Sequence, residues 1–368
     1  MTMKEIQKQV RCSVGILILL IFSSSCVQKE NQRAQYTISK AMELSKASVT
    51  DYITITDSIQ LETNQESLIG IVSKIQFTKD RIYILDNYIT NCVFIFDLQG
   101  NFIKKFGEIG SGPGEYLSIN DFVIQEDKQQ ALLLVEGRRI IFTDLDGNYI
   151  KSQLLDFPHI SYLFPIRDKY VLGNHVTSGD PYLLHFTDHQ FKEIDQDLSI
   201  HPNYMKVART TLLGYTGYHD NYLFAPILSP IIYSVNKEGC SPKYRFDFEE
   251  QLLLTEKKIA SLEKEDEKQI VENTKSFFGL KSFFDLEDRL FVTFFLNREE
   301  YWGEYDFKTE TLKYVNQNKM SVGMDGISPK NMYFLAQINQ NTLIGVLNDP
   351  KRDTEELNPT ILIIQIGK

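Results

Sequence analysis

Six side chains stand where apolar, strand-like runs give out: Asp86, Glu136, Asn174 with His175, and Asn297 with Arg298. Asp, Glu and Asn supply the hard oxygens that a cation such as Ca²⁺ requires. Brought together, these run ends would form a candidate ligand or metal site, the kind of centre a metal-dependent hydrolase or lyase uses. The favoured alternative is local: carboxylates and amides at strand ends cap turns and bond the backbone beside them.

A glycine-rich segment, Phe106-Gly107-Glu108-Ile109-Gly110-Ser111-Gly112-Pro113-Gly114-Glu115-Tyr116, invites comparison with phosphate cradles. A P-loop, however, needs Lys and then Ser or Thr after its last glycine, with a helix to follow. Glu115-Tyr116 and a strand-like run follow instead. The segment therefore reads as a structural crossing, in which Gly107, Gly110, Gly112 and Gly114 permit positive φ and Pro113 stiffens the chain.

His159, His175, His185, His189, His201 and His219 all fall in the middle of the chain. On an extended segment the nearest two, His185 and His189, stand roughly 13 Å apart, too far for a metal pair. No residue is marked as a catalytic nucleophile. Trp302 and the many Phe and Tyr residues suit half-buried strands and read as packing.

The elements that must position these groups repeat. Phe96-Asp97-Leu98-Gln99-Gly100-Asn101-Phe102-Ile103-Lys104 is echoed 47 residues later by Thr143-Asp144-Leu145-Asp146-Gly147-Asn148-Tyr149-Ile150-Lys151, each a strand, a glycine turn and a strand. A period in the forties with strand-only patterning points to propeller blades. A second element, a polar turn before a near-continuous apolar run, occurs at 80–86, 130–136, 168–174, 220–226, 288–294 and 341–347. These are taken as the inner strands of six blades, covered on both faces. The last blade has only three strands, and Tyr52-Ile53-Thr54-Ile55 is placed to supply the fourth, closing an all-β ring without open edges. Between blades four and five, Asp247-Phe248-Glu249-Glu250 starts like a capping box, and 249–273 lacks Gly and Pro, which predicts a helical insertion.

The N-terminus carries Lys4, Lys8 and Arg11 ahead of an apolar run from Val14 to Phe22 that is too short to span a bilayer. Residues 1–25 are read as a signal peptide. Ser23-Ser24-Ser25-Cys26 resembles the lipobox of bacterial lipoproteins, with Ser23 where Leu is usual, and this places a lipid on Cys26. Residues 26–50 are then a flexible tether and 51–368 the propeller. The polar start of the tether, Gln28-Lys29-Glu30, is similar to surface-export signals of Gram-negative lipoproteins.

Residues 1–25 hold two more cations than anions, so their removal takes the formal charge from −10 to −12. Such a surface repels phosphate backbones, which excludes nucleic acid as an expected partner. Cleavage and lipidation would leave Cys92 and Cys240. They lie in different repeats, which favours two buried thiols over a disulfide.

The glycine-rich segment, Asp121-Phe122 and the repeats together resemble the six-bladed β-propeller lipoproteins of gut anaerobes, relatives of NHL-repeat and TolB-like propellers. The likeness covers the chain beyond Thr50, with blades three to six matching by pattern. It implies an outer-membrane lipoprotein, held by its lipid, in a family mostly without assigned activity. The expected role is a non-catalytic binding or scaffolding module for a peptide, glycan or protein. No cofactor is expected unless the carboxylate ring holds Ca²⁺.

Overall fold

The structure is a computed structural model. It describes residues 33–157, 159–174, 179–199, 203, 214–218, 220–226, 228–248, 253–261, 277–323, 326–348 and 357–366. The expected signal peptide, Cys26 and His175 lie outside the described residues.

Six antiparallel sheets follow one another along the chain. Blade one comprises Lys74–Phe77, Arg81–Asp86, Cys92–Asp97 and Phe102–Phe106. Blade two begins at Ile119–Gln125, blade three at Ile160–Ile166, blade four at Gly214–Tyr218, blade five at Gly279–Asp285 and blade six at Met332–Asn339. Blade six takes its fourth strand from Ile53–Gln60, which pairs antiparallel with Thr360–Ile366 in the register Ile53↔Ile366 and Ile55↔Ile364. The ring is thus closed by joining the two ends of the propeller, as the unpaired strand near Tyr52 predicts.

The apolar runs form strands, and alternation explains why they carry no polar face. In Arg81–Asp86, Tyr83 and Leu85 pack with Phe122, Leu133 and Val135 of blade two. Ile82 and Ile84 pack on the other side with Ile344, Val346 and Ile361 of blade six. Successive side chains point to opposite faces, and each face meets a neighbouring blade. Trp302 is buried in the same way against Phe291 and Phe334.

The structure corrects three expectations. The apolar runs are the second strands of their blades, not the innermost; the channel is lined by the first strands that precede them. The expected tether to residue 50 is also structured over much of its length. Tyr36–Ile38 pairs parallel with the outer strand of blade four, Ala41–Leu44 with that of blade five, and Ala47–Ser48 with Met320–Ser321. This strap covers sheet edges that would otherwise present open hydrogen-bonding groups. Tyr36 stacks on Tyr244 and Phe307 at 5.2 and 5.0 Å, and Ile38 is fully buried.

Thirdly, the helix described in the insertion runs from Glu256 to Ser261, not from Asp247. Asp247 instead extends the blade edge, its N–H donating to Ile38 O, while the Thr255 hydroxyl accepts from Lys258 N at the helix start. Leu254 and Ile259 anchor this helix in the core shared by blades three and four. Residues 249–252 and 262–273 of the expected insertion lie outside the described residues. Cys92 and Cys240 are both buried thiols.

Candidate functional site

First strands meet the channel and are less fully covered than the second strands behind them. Lys74-Ile75-Gln76-Phe77 shows the pattern: Ile75 is buried while the other three are intermediate. Residues from the first strands of all six blades line one cavity of about 650 Å³. Its mouth is completed by the connection Ile71–Ser73, the turn residues Asn87 and Tyr88, and Gln317, Lys330 and Asn348.

The wall mixes apolar and aromatic side chains with nearly as many polar ones. Lys74 Nζ meets Asp121 Oδ1 at 2.7 Å, and Asp121 Oδ2 accepts from Leu163 N at 2.8 Å. Ser73 donates to Asn87 Oδ1 and Asn87 Nδ2 to Asn120 O, which carries a polar line from blade one to blade two. Tyr333 closes the seam with blade six by donating to Val72 O at 3.2 Å. On the far side, Lys281 pairs with Glu300 at 2.9 Å. Burial holds the Tyr162 and Tyr222 phenols well above their ordinary range, with Asp121 adding its negative charge for Tyr162 and Asp220, then Asp121, for Tyr222. They remain neutral. Among the described lining residues there is no His and no Cys. The channel therefore offers hydroxyls, amides, phenols and charge pairs in one cleft, the composition of a binding site.

The residues expected from sequence fall elsewhere. Asp86 is fully buried; it accepts from Gly70 N, Ile89 N and the Thr90 hydroxyl, and so caps the turn into the third strand of blade one. Glu136 has φ +53 and accepts from Leu117 N and Arg139 at 3.1 Å. Asn174 donates to Tyr182 O and to His185 Nε2, while His185 Nδ1 sits 2.6 Å from Glu193. Asn297 and Arg298, with φ +52 and +69, form the two-residue turn between the second and third strands of blade five. None of these five lines the channel. Among the described residues no three His, Cys, Asp or Glu side chains gather in the manner of a metal site.

The glycine-rich segment folds on itself. Its Gly112 N–H is taken by the Glu115 carboxylate at 2.7 Å. Gly107, at φ +110, lies so close to the Tyr116 hydroxyl that a β-carbon would approach it to 1.9 Å. Tyr116 is buried and donates to Asn91 O, which ties the crossing to blade one.

Sequence reasoning missed Lys74, Asp121, Tyr162 and Tyr222. The available signal for Lys74, Asp121 and Tyr162 was a strand-like run ahead of each apolar strand, broken by polar residues; Tyr222 lies in the apolar run 220–226 itself, and nothing local marks it as facing the channel.

Comparison with known proteins fits this geometry. A family model described as "Domain of unknown function (DUF4934)" matches residues 35–361. A Bacteroides fragilis protein described as a "putative exported protein" has a solved structure that superposes with TM-score 0.71 at 18% identity, covering 90% of this chain and all of that one. A member of the DUF4221 family from Bacteroides vulgatus gives TM-score 0.58 at 10% identity over 85% of this chain and 98% of the other. Both share the fold. No curated protein matches the chain.

Proposed function

This chain belongs to the DUF4934 family, a domain of unknown function, and on that premise we propose that it is a cell-envelope lipoprotein whose propeller is a non-catalytic binding or scaffolding module. Its ligand, a peptide, glycan or partner protein, is taken at the channel mouth.

The observation that carries the reading is the channel itself. All six blades contribute to one cavity of about 650 Å³, within the usual size of ligand sites, and its wall offers apolar surface and hydrogen-bonding groups side by side. Its serine and threonine hydroxyls have no lining His or Cys beside them among the described residues. Export is supported by the signal-like segment and by the likeness to a protein described as exported. A lipid on Cys26 would hold the domain to the outer membrane, with Gln28-Lys29-Glu30 favouring surface display. Only the residues between Cys26 and Tyr36 would separate lipid from strap, a reach of at most roughly 35 Å.

The test is cross-linked affinity capture from intact cells with the wild-type chain and a mouth variant, Tyr88→Ala with Lys330→Ala. A partner recovered by the wild type and lost by the variant is the expected outcome. No reproducible partner, or equal recovery by both, would overturn the proposal.

A further inference from the structure

Beside the channel mouth lies a band of apolar side chains that the fold leaves uncovered. Tyr88, Ile109, Ile89 and Leu117 are between 57 and 67% exposed, unusual for four large apolar residues in neighbouring loops. The loops are in contact. Gly70, next to Ile71, lies so near Ile89 that a β-carbon there would come within 2.4 Å of it. The Tyr116 hydroxyl donates to Asn91 O, and Ile109 bridges to Tyr116, the residue before Leu117. The band therefore crosses from blade one to blade two. It is continuous with the cavity, because Ile71 and Tyr88 belong to both.

Charge adds a second, independent feature. The lining holds three lysines against two carboxylates. Lys74 pairs with Asp121 and Lys281 with Glu300, whereas Lys330 is exposed and forms no ion pair among the described residues; the carboxylate whose charge it feels, Glu299, is held by the Asn316 and Asn318 amides. A local cation thus stands at the mouth of a chain whose formal charge is −10. Salt screens distant charges over a Debye length of about 8 Å, so a bound group at the mouth feels Lys330 more than the remote acidic surface.

Resting on the binding-module reading above, we infer that the ligand is a polypeptide segment in which aliphatic side chains flank a carboxylate. The aliphatic groups cover Ile71, Ile89 and Leu117, one of them enters the channel, and the carboxylate meets Lys330. A glycan fits this surface poorly. Its hydroxyls would be buried against aliphatic side chains that offer no hydrogen bonds, and of the four most exposed residues only Tyr88 has a ring on which a sugar could stack. Exposed apolar patches beside polar groups are characteristic of protein recognition.

Selection of a random displayed 12-residue peptide library on the intact chain tests this directly, with an oligosaccharide array run in parallel. The expected result is enrichment of peptides that combine aliphatic residues with Asp or Glu. Binding of a representative peptide should weaken about tenfold or more in Ile89→Asp, Leu117→Asp and Lys330→Glu, all at exposed positions, with melting unchanged. Enriched peptides lacking carboxylates, or affinities indifferent to these substitutions, would overturn the inference. If sugars bind, lose affinity in Tyr88→Ala, and no peptide is enriched, this inference fails while the binding-module reading stands. If neither class binds, this inference fails, and the binding-module reading is decided by the capture from intact cells.

Discussion

Lys74 Nζ lies 2.7 Å from Asp121 Oδ1 inside the channel and ties blade one to blade two. The same carboxylate accepts from Leu163 N of blade three through Oδ2 and from its neighbour Phe122 N through Oδ1. One side chain therefore couples three consecutive blades at the surface that a ligand would meet.

Asp121→Ala leaves a mostly buried ammonium and two main-chain N–H groups without their acceptor. Losing one partner of such a pair costs about 3–5 kcal/mol. Urea denaturation should show that loss, and the double variant Lys74→Met with Asp121→Leu should recover part of it. An Asp121→Ala midpoint equal to wild type would refute the coupling.

Asn358 pins the chain between the closing strand and blade one. Its Oδ1 accepts from Ile69 N, and its Nδ2 donates to Glu62 O and Ser67 O. Asn358→Ala strands these groups at about 1–3 kcal/mol each. The expected consequence is a clear fall in Tm and faster amide exchange at Ile69; an unshifted Tm would count against this role.

Closure and strap should separate under truncation. Deleting residues up to 51 removes the strap but keeps the fourth strand of blade six, Ile53–Gln60, so a single, lowered melting transition is expected. Deletion through 60 opens the ring and should abolish cooperative melting. Equal behaviour of the two truncations would show that the closing strand is dispensable.

The hairpin turns carry carboxylates whose pKa is held below the ordinary value. Asp97 is lowered chiefly by the hydrogen bond from the Asn101 side chain, Asp188 by that from Lys192 N. A group depressed in the folded state adds stability above its unfolded pKa and loses it as pH falls through the folded one. The contribution is therefore intact at neutral pH and disappears below the ordinary value of 3.8. The Asp97→Asn, Asp188→Asn variant should lose stability less steeply than wild type between about pH 4 and pH 2, as read by denaturant midpoints across that range.

Cys26, if lipidated as proposed, should incorporate labelled fatty acid and carry the protein into the detergent phase. Cys26→Ala should do neither. Detergent partitioning that survives this substitution would require another anchor.

What the sequence by itself determined is the ring. The continuous apolar strands, the 47-residue hairpin echo and the strand near Tyr52 demand faces covered on both sides and a closed edge, and local pattern is enough to show that. Only the tertiary structure decided the site. Lys74, Asp121 and Leu163 are brought together by ring closure, and Tyr36–Leu44 becomes a strap because distant blade edges need partners. Those contacts join residues far apart in the chain, and no local periodicity records them.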